Sequence, residues 1–299
     1  MSDSDYVSYS TISNNLFLGI IMFSVLGTYF DKTRFYARII TCFLSLVVCA
    51  SYGVIASIVL SFFGRRSLSQ WTTARAFSGL LSPLIGFNFA VENEERLLNR
   101  PAVFVSNHQT ELDILMLGRM FPKHCSVTSK KALKYYPFLG WFMTLSGTVF
   151  IDRANRKNAV ATFDSAVNQI RSEAQSVWIF PEGTRSNFTE PDMLPFKKGC
   201  FHLAIQAGVD IVPVVVGNYS RIFNWRARRC ESGTCKIRVL EPISTKGMTA
   251  ADVDRLSRDV REDMLRHLKE ISGSGHDVQH SKKGEVENGV FQPLSTDDK

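Results

Sequence analysis

In the stretch "AVFVSNHQTELDILML" (residues 102–117) an apolar run gives way to a turn that carries His108, and Asp113 follows five residues later at the head of a second apolar run. On a continuous helix, residues five apart are separated by about 500°, so His108 and Asp113 would not share a face. They meet only if His108 sits in the turn and Asp113 in the first turn of the helix behind it. Thr110 is a good N-cap, and "TELD" places an acid three residues on, as in a capping box. Two roles for Asp113 therefore stay open: a cap for a backbone N–H, or a carboxylate that orients an imidazole. In the second role it would fix the tautomer of His108 and stabilise the imidazolium, leaving the other ring nitrogen to take a proton from a hydroxyl. Such general-base catalysis is typically worth ~10²–10⁴-fold in rate. The sequence holds no GxSxG elbow, no HExxH and no GxxxxGK[ST], so a serine nucleophile, a zincin and a P-loop each lack their usual signature.

Four further segments place cationic side chains after apolar ones. "VWIFPEGTRSN" (177–187) ends a strand pattern with Glu182, Gly183, Thr184 and Arg185. Ligands of open α/β sheets bind at such carboxyl ends, an arginine fork suits a phosphate, and a glycine admits close backbone approach. "GTVFIDR" (147–153) delivers Asp152 and Arg153 in the same way. Lys197 and Lys198 precede a helix pattern beginning near Gly199, and Lys130 and Lys131 stand beside the aromatic run "YYPFLGWF". Together these loops point to a polar, phosphate-bearing group held near a proton acceptor.

Positioning these loops requires a sheet. "PAVFVS", "TVFID", "VWIF", "IVPVVV" and "KIRVLEPI" read as strands, the middle ones almost continuously apolar, as in a sheet covered on both faces. Between them Val160, Phe163, Val167 and Ile170, and later Val253, Leu256, Val260, Met264, Leu268 and Ile271, recur at helical spacing. The alternation predicts an α/β fold with a mostly parallel sheet and flanking helices, preceded by N-terminal membrane helices. Residues 39–63 form an uncharged run of 25 residues, about 37 Å as helix and enough to cross a bilayer core of roughly 30 Å. Residues 16–30 form a second uncharged run of only 15. The leader carries Asp3 and Asp5 and no basic n-region, which fits a cleaved signal peptide badly. The expected organisation is a membrane segment at 1–65, an interfacial amphipathic connector at 66–92, a catalytic domain at 93–271 and a disordered Gly/Ser-rich, charged tail at 272–299. The net charge of +7, with basic clusters at 123–134 and 221–238, favours anionic lipid or a phosphate-bearing substrate over nucleic acid. The six cysteines show no CxxC or metal-ligand spacing.

At these residues the sequence resembles a known family. "NHQTELD" is similar to the NHxxxxD block of the 1-acylglycerol-3-phosphate (lysophosphatidate) acyltransferases, "GTVFIDR" to the second block, "FPEGTRS" to the third and "LPFKKGCFHLAIQAGVDIVPV" to the fourth. All four stand in order, and the likeness, which runs over about residues 66–270, is to the fungal-type members. The resemblance implies a glycerolipid acyltransferase-like fold. It also implies the reaction, in which the 2-hydroxyl of lysophosphatidate attacks the thioester of acyl-CoA to give phosphatidate and CoA. His108 would be the base and Asp113 its partner. Arg185 would bind the glycerol phosphate, with Glu182, Gly183, Thr184, Lys130, Arg153, Lys197 and Lys198 around the substrate. The implied partners are acyl-CoA (a co-substrate, with no cofactor or metal), lysophosphatidate and membrane lipids. The implied setting is the endoplasmic reticulum membrane, with the catalytic domain facing the cytosol. A sibling acyltransferase acting on glycerol-3-phosphate or another lysophospholipid is one alternative, and a non-catalytic anionic-lipid-binding membrane protein is another.

Overall fold

Strand β2 (Ala102–Ser106) shows why the central strands read as unbroken apolar runs. Ala102 and Phe104 enter one core and Val103 and Val105 another, on opposite faces of the sheet, and all four are fully buried. The computed structural model describes residues 31–151 and 156–273. Leu16–Phe30, Arg153 and the tail after Gly273 lie outside the described residues.

The chain runs α1 (Asp31–Phe62), α2 (Ser69–Ile85), β1 (Phe87–Glu92), β2, α3 (Asp113–Met120), β3 (Cys125–Lys130), α4 (Leu139–Leu145) and β4 (Val149–Ile151). It continues through α5 (Arg156–Glu173), β5 (Ser176–Ile179), α6 (Gly199–Ala207), β6 (Asp210–Val216), a hairpin β7 (Phe223–Asn224) and β8 (Arg229–Cys230), β9 (Gly233–Val239) and α7 (Val253–Gly273). Seven strands form one sheet in the order β1-β9-β6-β2-β5-β3-β4. Every adjacent pair is parallel except β6 with β9. Strands β6, β2, β5, β3 and β4 thus share one direction, and the β9–β1 pair runs against them.

One face of the sheet is covered by α1, α2 and α3, with Phe77, Leu81, Leu115 and Met116 packed on Phe104, Trp178 and Val214. The other is covered by α5, α6 and α7, with Ile170, Phe201, Val260, Met264 and Leu268 packed on Val105, Ile179 and Val215. Leu256, Val260, Met264, Leu268 and Ile271 of α7 are all buried, as their spacing predicts.

The structure revises two expectations. Residues 66–92 do not form a connector throughout: α2 occupies 69–85, and β1 is an edge strand of the sheet, paired in register from Phe87 with Gly233 to Glu92 with Arg238. "CSVTSK", unmarked by any apolar pattern, is strand β3, held between β5 and β4.

Helix α1 is long and apolar enough to cross a membrane. It is not a free rod. Phe35, Ser45, Cys49, Ala50 and Ser57 are buried, while Tyr36, Ile40, Phe43, Val48, Ile55 and Phe62 are exposed. The buried stripe packs on α2 and α4. Gly53 makes this possible, since a Cβ there would come within 2.5 Å of the Phe142 ring. At its N-terminal end Arg34 pairs with Glu231 at 2.9 Å, and Arg38 donates to the Cys230 carbonyl and Ser232 Oγ.

Candidate active site

Strands β6, β2, β5 and β3 are neighbours running the same way, so their carboxyl ends open on one edge at about 4.8 Å spacing. Each end delivers part of the site: Tyr219 after β6, His108 and Asp113 after β2, residues 182–185 after β5, and Lys130 at the end of β3.

The loop after β2 is fixed by side-chain amides. Asn107 acts as an extra rung of sheet, with Nδ2 donating to the Val216 carbonyl and Oδ1 accepting from the Val216 N–H, both at 2.9 Å. Gln109 Nε2 donates to the carbonyls of Val216 and Gly217. The loop after β5 docks on the same segment, Ser186 N donating to the His108 carbonyl and Asn187 N to that of Gln109.

With its backbone held, His108 directs Nδ1 to Asp113 Oδ2 at 2.7 Å, which leaves Nε2 for the cavity the ring lines. The imidazole stacks on Phe180, centroids 4.3 Å apart. Asp113 is the first residue of α3 and is buried, with its side chain 1% exposed. Its Oδ2 also accepts from the backbone N–H of Gln109 (2.6 Å) and of Thr110 (3.2 Å), while Thr110 Oγ1 accepts from Leu112 N. The capping and dyad roles are therefore one arrangement: the oxygen that caps the turn also holds the imidazole. Oδ1 accepts from the Tyr219 hydroxyl at 2.6 Å. Burial, and then the Asp113 charge beside it, hold the Tyr219 phenol well above its ordinary range. Tyr219 lies past the four sequence blocks and no spacing rule points to it.

Glu182 does not face the cavity. It is buried, Oε1 accepting from His108 N at 2.7 Å and Oε2 from Leu194 N at 2.9 Å, so it clamps the His108 loop to the segment ahead of α6. Burial raises its carboxyl above the usual range, and the two backbone donors work the other way. Gly183 adopts φ +69°, and a Cβ there would come within 2.7 Å of Lys197 Nζ, so glycine lets that ammonium close on the loop. Lys197 N also donates to the Pro181 carbonyl.

Gly183, Thr184, Arg185, Lys130 and His108 line one cavity of about 590 Å³, within the roughly 300–1,000 Å³ of ligand sites. Arg185, about half exposed, is paired with Glu111, which lies between Thr110 and the dyad aspartate's helix. Away from these charges the wall is apolar: Leu46, Cys49 and Ala50 of α1, Phe77 of α2, then Phe121, Leu133, Phe142 and Met143. Lys198 belongs elsewhere. Its ammonium pairs with Asp254 of α7 at 2.7 Å, in a separate cleft with Phe196, Arg258 and Arg261. Lys197, by contrast, reaches the Gly183 loop, so the two adjacent ammonium groups have different partners.

A family model described as Acyltransferase matches residues 88–217. The chain is 44% identical over 251 residues to the 1-acyl-sn-glycerol-3-phosphate acyltransferase of Saccharomyces cerevisiae, covering 84% of this chain and 82% of that protein. It is 38% identical over 225 residues to the human 1-acyl-sn-glycerol-3-phosphate acyltransferase beta, covering 75% and 79%. The crystal structure of the 1-acyl-sn-glycerophosphate acyltransferase PlsC of Thermotoga maritima shares the fold, with a TM-score of 0.67 at 22% identity over 82% of this chain and 99% of that one. Identity of 44% and 38% over more than two thirds of these relatives shows that the chain belongs to the 1-acylglycerol-3-phosphate acyltransferase family.

Proposed function

We propose that the protein transfers an acyl chain from acyl-CoA to the sn-2 hydroxyl of 1-acyl-sn-glycerol-3-phosphate, releasing phosphatidate and CoA. The observation that carries this reading is the His108–Asp113 pair, 2.7 Å apart, on a cavity that also holds Arg185 and Lys130. Arg185, with Lys130 and Lys197, binds the phosphate. His108 Nε2 takes the proton of the sn-2 hydroxyl as its oxygen bonds to the thioester carbon. When the tetrahedral adduct collapses, the C–S bond breaks and the imidazolium returns the proton to the CoA thiolate. Asp113 holds the imidazole in the required tautomer throughout. The scheme needs no metal or cofactor, because base and leaving-group acid are one residue.

The apolar half of the cavity, between α1, α2 and α4, suits an acyl chain. Its wall includes α1, so membrane lipids are part of the site's surroundings. The same reading puts the catalytic domain on the cytosolic side of the endoplasmic reticulum membrane, where a soluble, highly charged acyl-CoA could reach the cavity mouth.

The test is an acyl-transfer assay on the purified full chain with a panel of acceptors and acyl-CoA donors. Lysophosphatidate should be the preferred acceptor. His108→Ala should lower kcat by at least ~10²-fold with the fold intact. If Asp113→Ala lowers thermal stability yet leaves turnover unchanged, Asp113 is a cap alone and the mechanism fails.

A further inference from the structure

The buried phenol of Tyr219 forms a polarity-matched chain ending on the dyad. Asp113 Oδ2 is taken by His108 Nδ1 and two backbone N–H groups, and Oδ1 accepts from the Tyr219 hydroxyl at 2.6 Å. A carboxylate oxygen only accepts, so the one phenol proton is committed to Oδ1. Thr110 Oγ1 lies 2.9 Å from the same phenol oxygen. With that proton used, Thr110 must be the donor. Thr110 Oγ1 in turn accepts from Leu112 N at 3.1 Å. Four groups therefore point one way: Leu112 N–H to Thr110 O–H to Tyr219 O–H to Asp113 Oδ1. In a buried site each such bond polarises the next.

Tyr219 itself has no room to turn. It is 1% exposed and sits edge-on to Phe87, with centroids 5.6 Å apart. It follows β6, the same strand whose end is zipped to the catalytic loop by Asn107 and Gln109.

We infer that Tyr219 is a positioning residue of the dyad: it fixes the plane of the Asp113 carboxylate and draws its charge away from the oxygen that faces His108. The inference rests on the general-base reading above. Without the phenol O–H, the carboxylate loses the contact that orients it, and more of its charge falls on Oδ2. The imidazolium is then held more firmly, so the acid limb of the pH–rate profile moves to higher pH. Among the described residues, the other ionisable groups around the pair and its cavity include Glu182, across the His108 backbone, Cys235 of β9, beside Tyr219, and Lys130 and the Arg185–Glu111 pair at the cavity. A substitution confined to the phenol oxygen leaves all of them in place.

The experiment compares the wild-type chain, Tyr219→Phe, and a chain carrying 3-fluorotyrosine at position 219, each purified full-length in mixed micelles. Tyr219→Phe should lower kcat about tenfold, short of the ~10²–10⁴-fold of the base itself. The KM for each substrate should stay within about twofold. The acid limb should rise by about half a unit, a fraction of the ~1–3 units that a neighbouring charge produces. Fluorotyrosine, a stronger donor of nearly the same shape, should move the limb the opposite way at unchanged thermal stability, and it decides the question if the phenylalanine variant does not fold. Unchanged kcat and acid limb in Tyr219→Phe, a loss carried by KM, or a limb indifferent to fluorination would each overturn the assignment. If His108→Ala and Asp113→Ala are inactive while Tyr219→Phe is indifferent, only the role of Tyr219 falls. If those two variants retain turnover, the general-base reading falls with it.

Discussion

Replacing Glu182 by glutamine changes one atom in a place where both carboxylate oxygens are in use. The wild-type side chain accepts from His108 N at 2.7 Å and Leu194 N at 2.9 Å and is buried. Glutamine can accept only one of these bonds and turns an NH₂ toward the other N–H, two donors face to face without water. A hydrogen bond to a charged group is worth about 1.5–3 kcal/mol, and an unsatisfied buried donor costs a comparable amount. Some relaxation offsets this, so a net loss of about 2–4 kcal/mol is expected. For a domain of this size each kcal/mol lowers Tm by roughly 2–4 °C, giving a fall of roughly 4–16 °C. Because the clamp acts on the backbone of His108, the base should also be misplaced, and a displacement near 1 Å costs on the order of 10²-fold in rate. Thermal unfolding in detergent and steady-state kinetics on the same sample read both quantities. The reasoning is refuted if Glu182→Gln keeps its Tm within about 2 °C and shows its defect only as a raised KM for lysophosphatidate. That result would place Glu182 on the substrate and not on the loop.

Arg185→Ala should raise the KM for lysophosphatidate by about 10–100-fold and leave that for acyl-CoA nearly unchanged; Arg185→Lys should rescue poorly, because a point charge does not replace a planar fork. Equal effects on both substrates would count against a phosphate role. Glu111 holds Arg185 in the structure, so an incoming phosphate must displace it. An exposed ion pair is worth about 0.2–1 kcal/mol, and Glu111→Gln should therefore lower the KM for lysophosphatidate by about 1.5–5-fold; a higher KM would show that the pair helps to bind the headgroup. Deleting residues 1–65 removes Leu46, Cys49 and Ala50 from the cavity wall, so the fragment should be poorly soluble or weakly active in mixed micelles. A monodisperse fragment with full activity would show that α1 is only a tether.

What the sequence made legible was whatever depends on near neighbours or on burial of both faces of a strand. Strand β2 is unbroken apolar sequence because both its faces are covered, and β5 and β6 follow it. The approach of His108 to Asp113 follows from local turn geometry, and the Thr110 cap marks it. Strands β1 and β3 were illegible for the opposite reason. Their residues are mixed in polarity, and pairing with β9 and with β5 and β4 decides their conformation. The same limit hides the long-range partners of the site. Asn107 and Gln109 read as turn residues until β6 lies beside them, Glu182 reads as a group around the substrate and not as a clamp on the His108 backbone, and Tyr219 reads as part of a loop. Each acts across more than 70 positions of chain. Lys197 and Lys198 were indistinguishable in sequence, and only their partners, the Gly183 loop and Asp254, separate them.

On the proposed reading, the placement of α1 would tie membrane attachment to catalysis more closely than a tether would. A helix of 32 residues is about 48 Å long, more than a bilayer core requires. A pure anchor would be apolar all round, yet this one buries Ser45, Cys49 and Ser57 against the domain and leaves Ile40, Phe43, Val48 and Ile55 exposed. Its buried stripe is also the wall of the cavity at Leu46, Cys49 and Ala50. The elements it packs on continue the exposed apolar surface, α2 through Leu80 and Leu84 and α4 through Trp141 and Leu145. A lipid face at the depth of α1 therefore meets the apolar end of the cavity, while Arg185 and Lys130 stand at the sheet edge with His108. Withdrawing an acyl chain into water costs about 0.8 kcal/mol per CH₂. If α1 lies in the bilayer, a cavity whose apolar wall is that helix would avoid most of that cost, because the chain would pass from lipid to protein without crossing water. In the proposed reaction the charged end of the same molecule would meet the arginine fork at the other end, and the hydroxyl between them would be left at the imidazole.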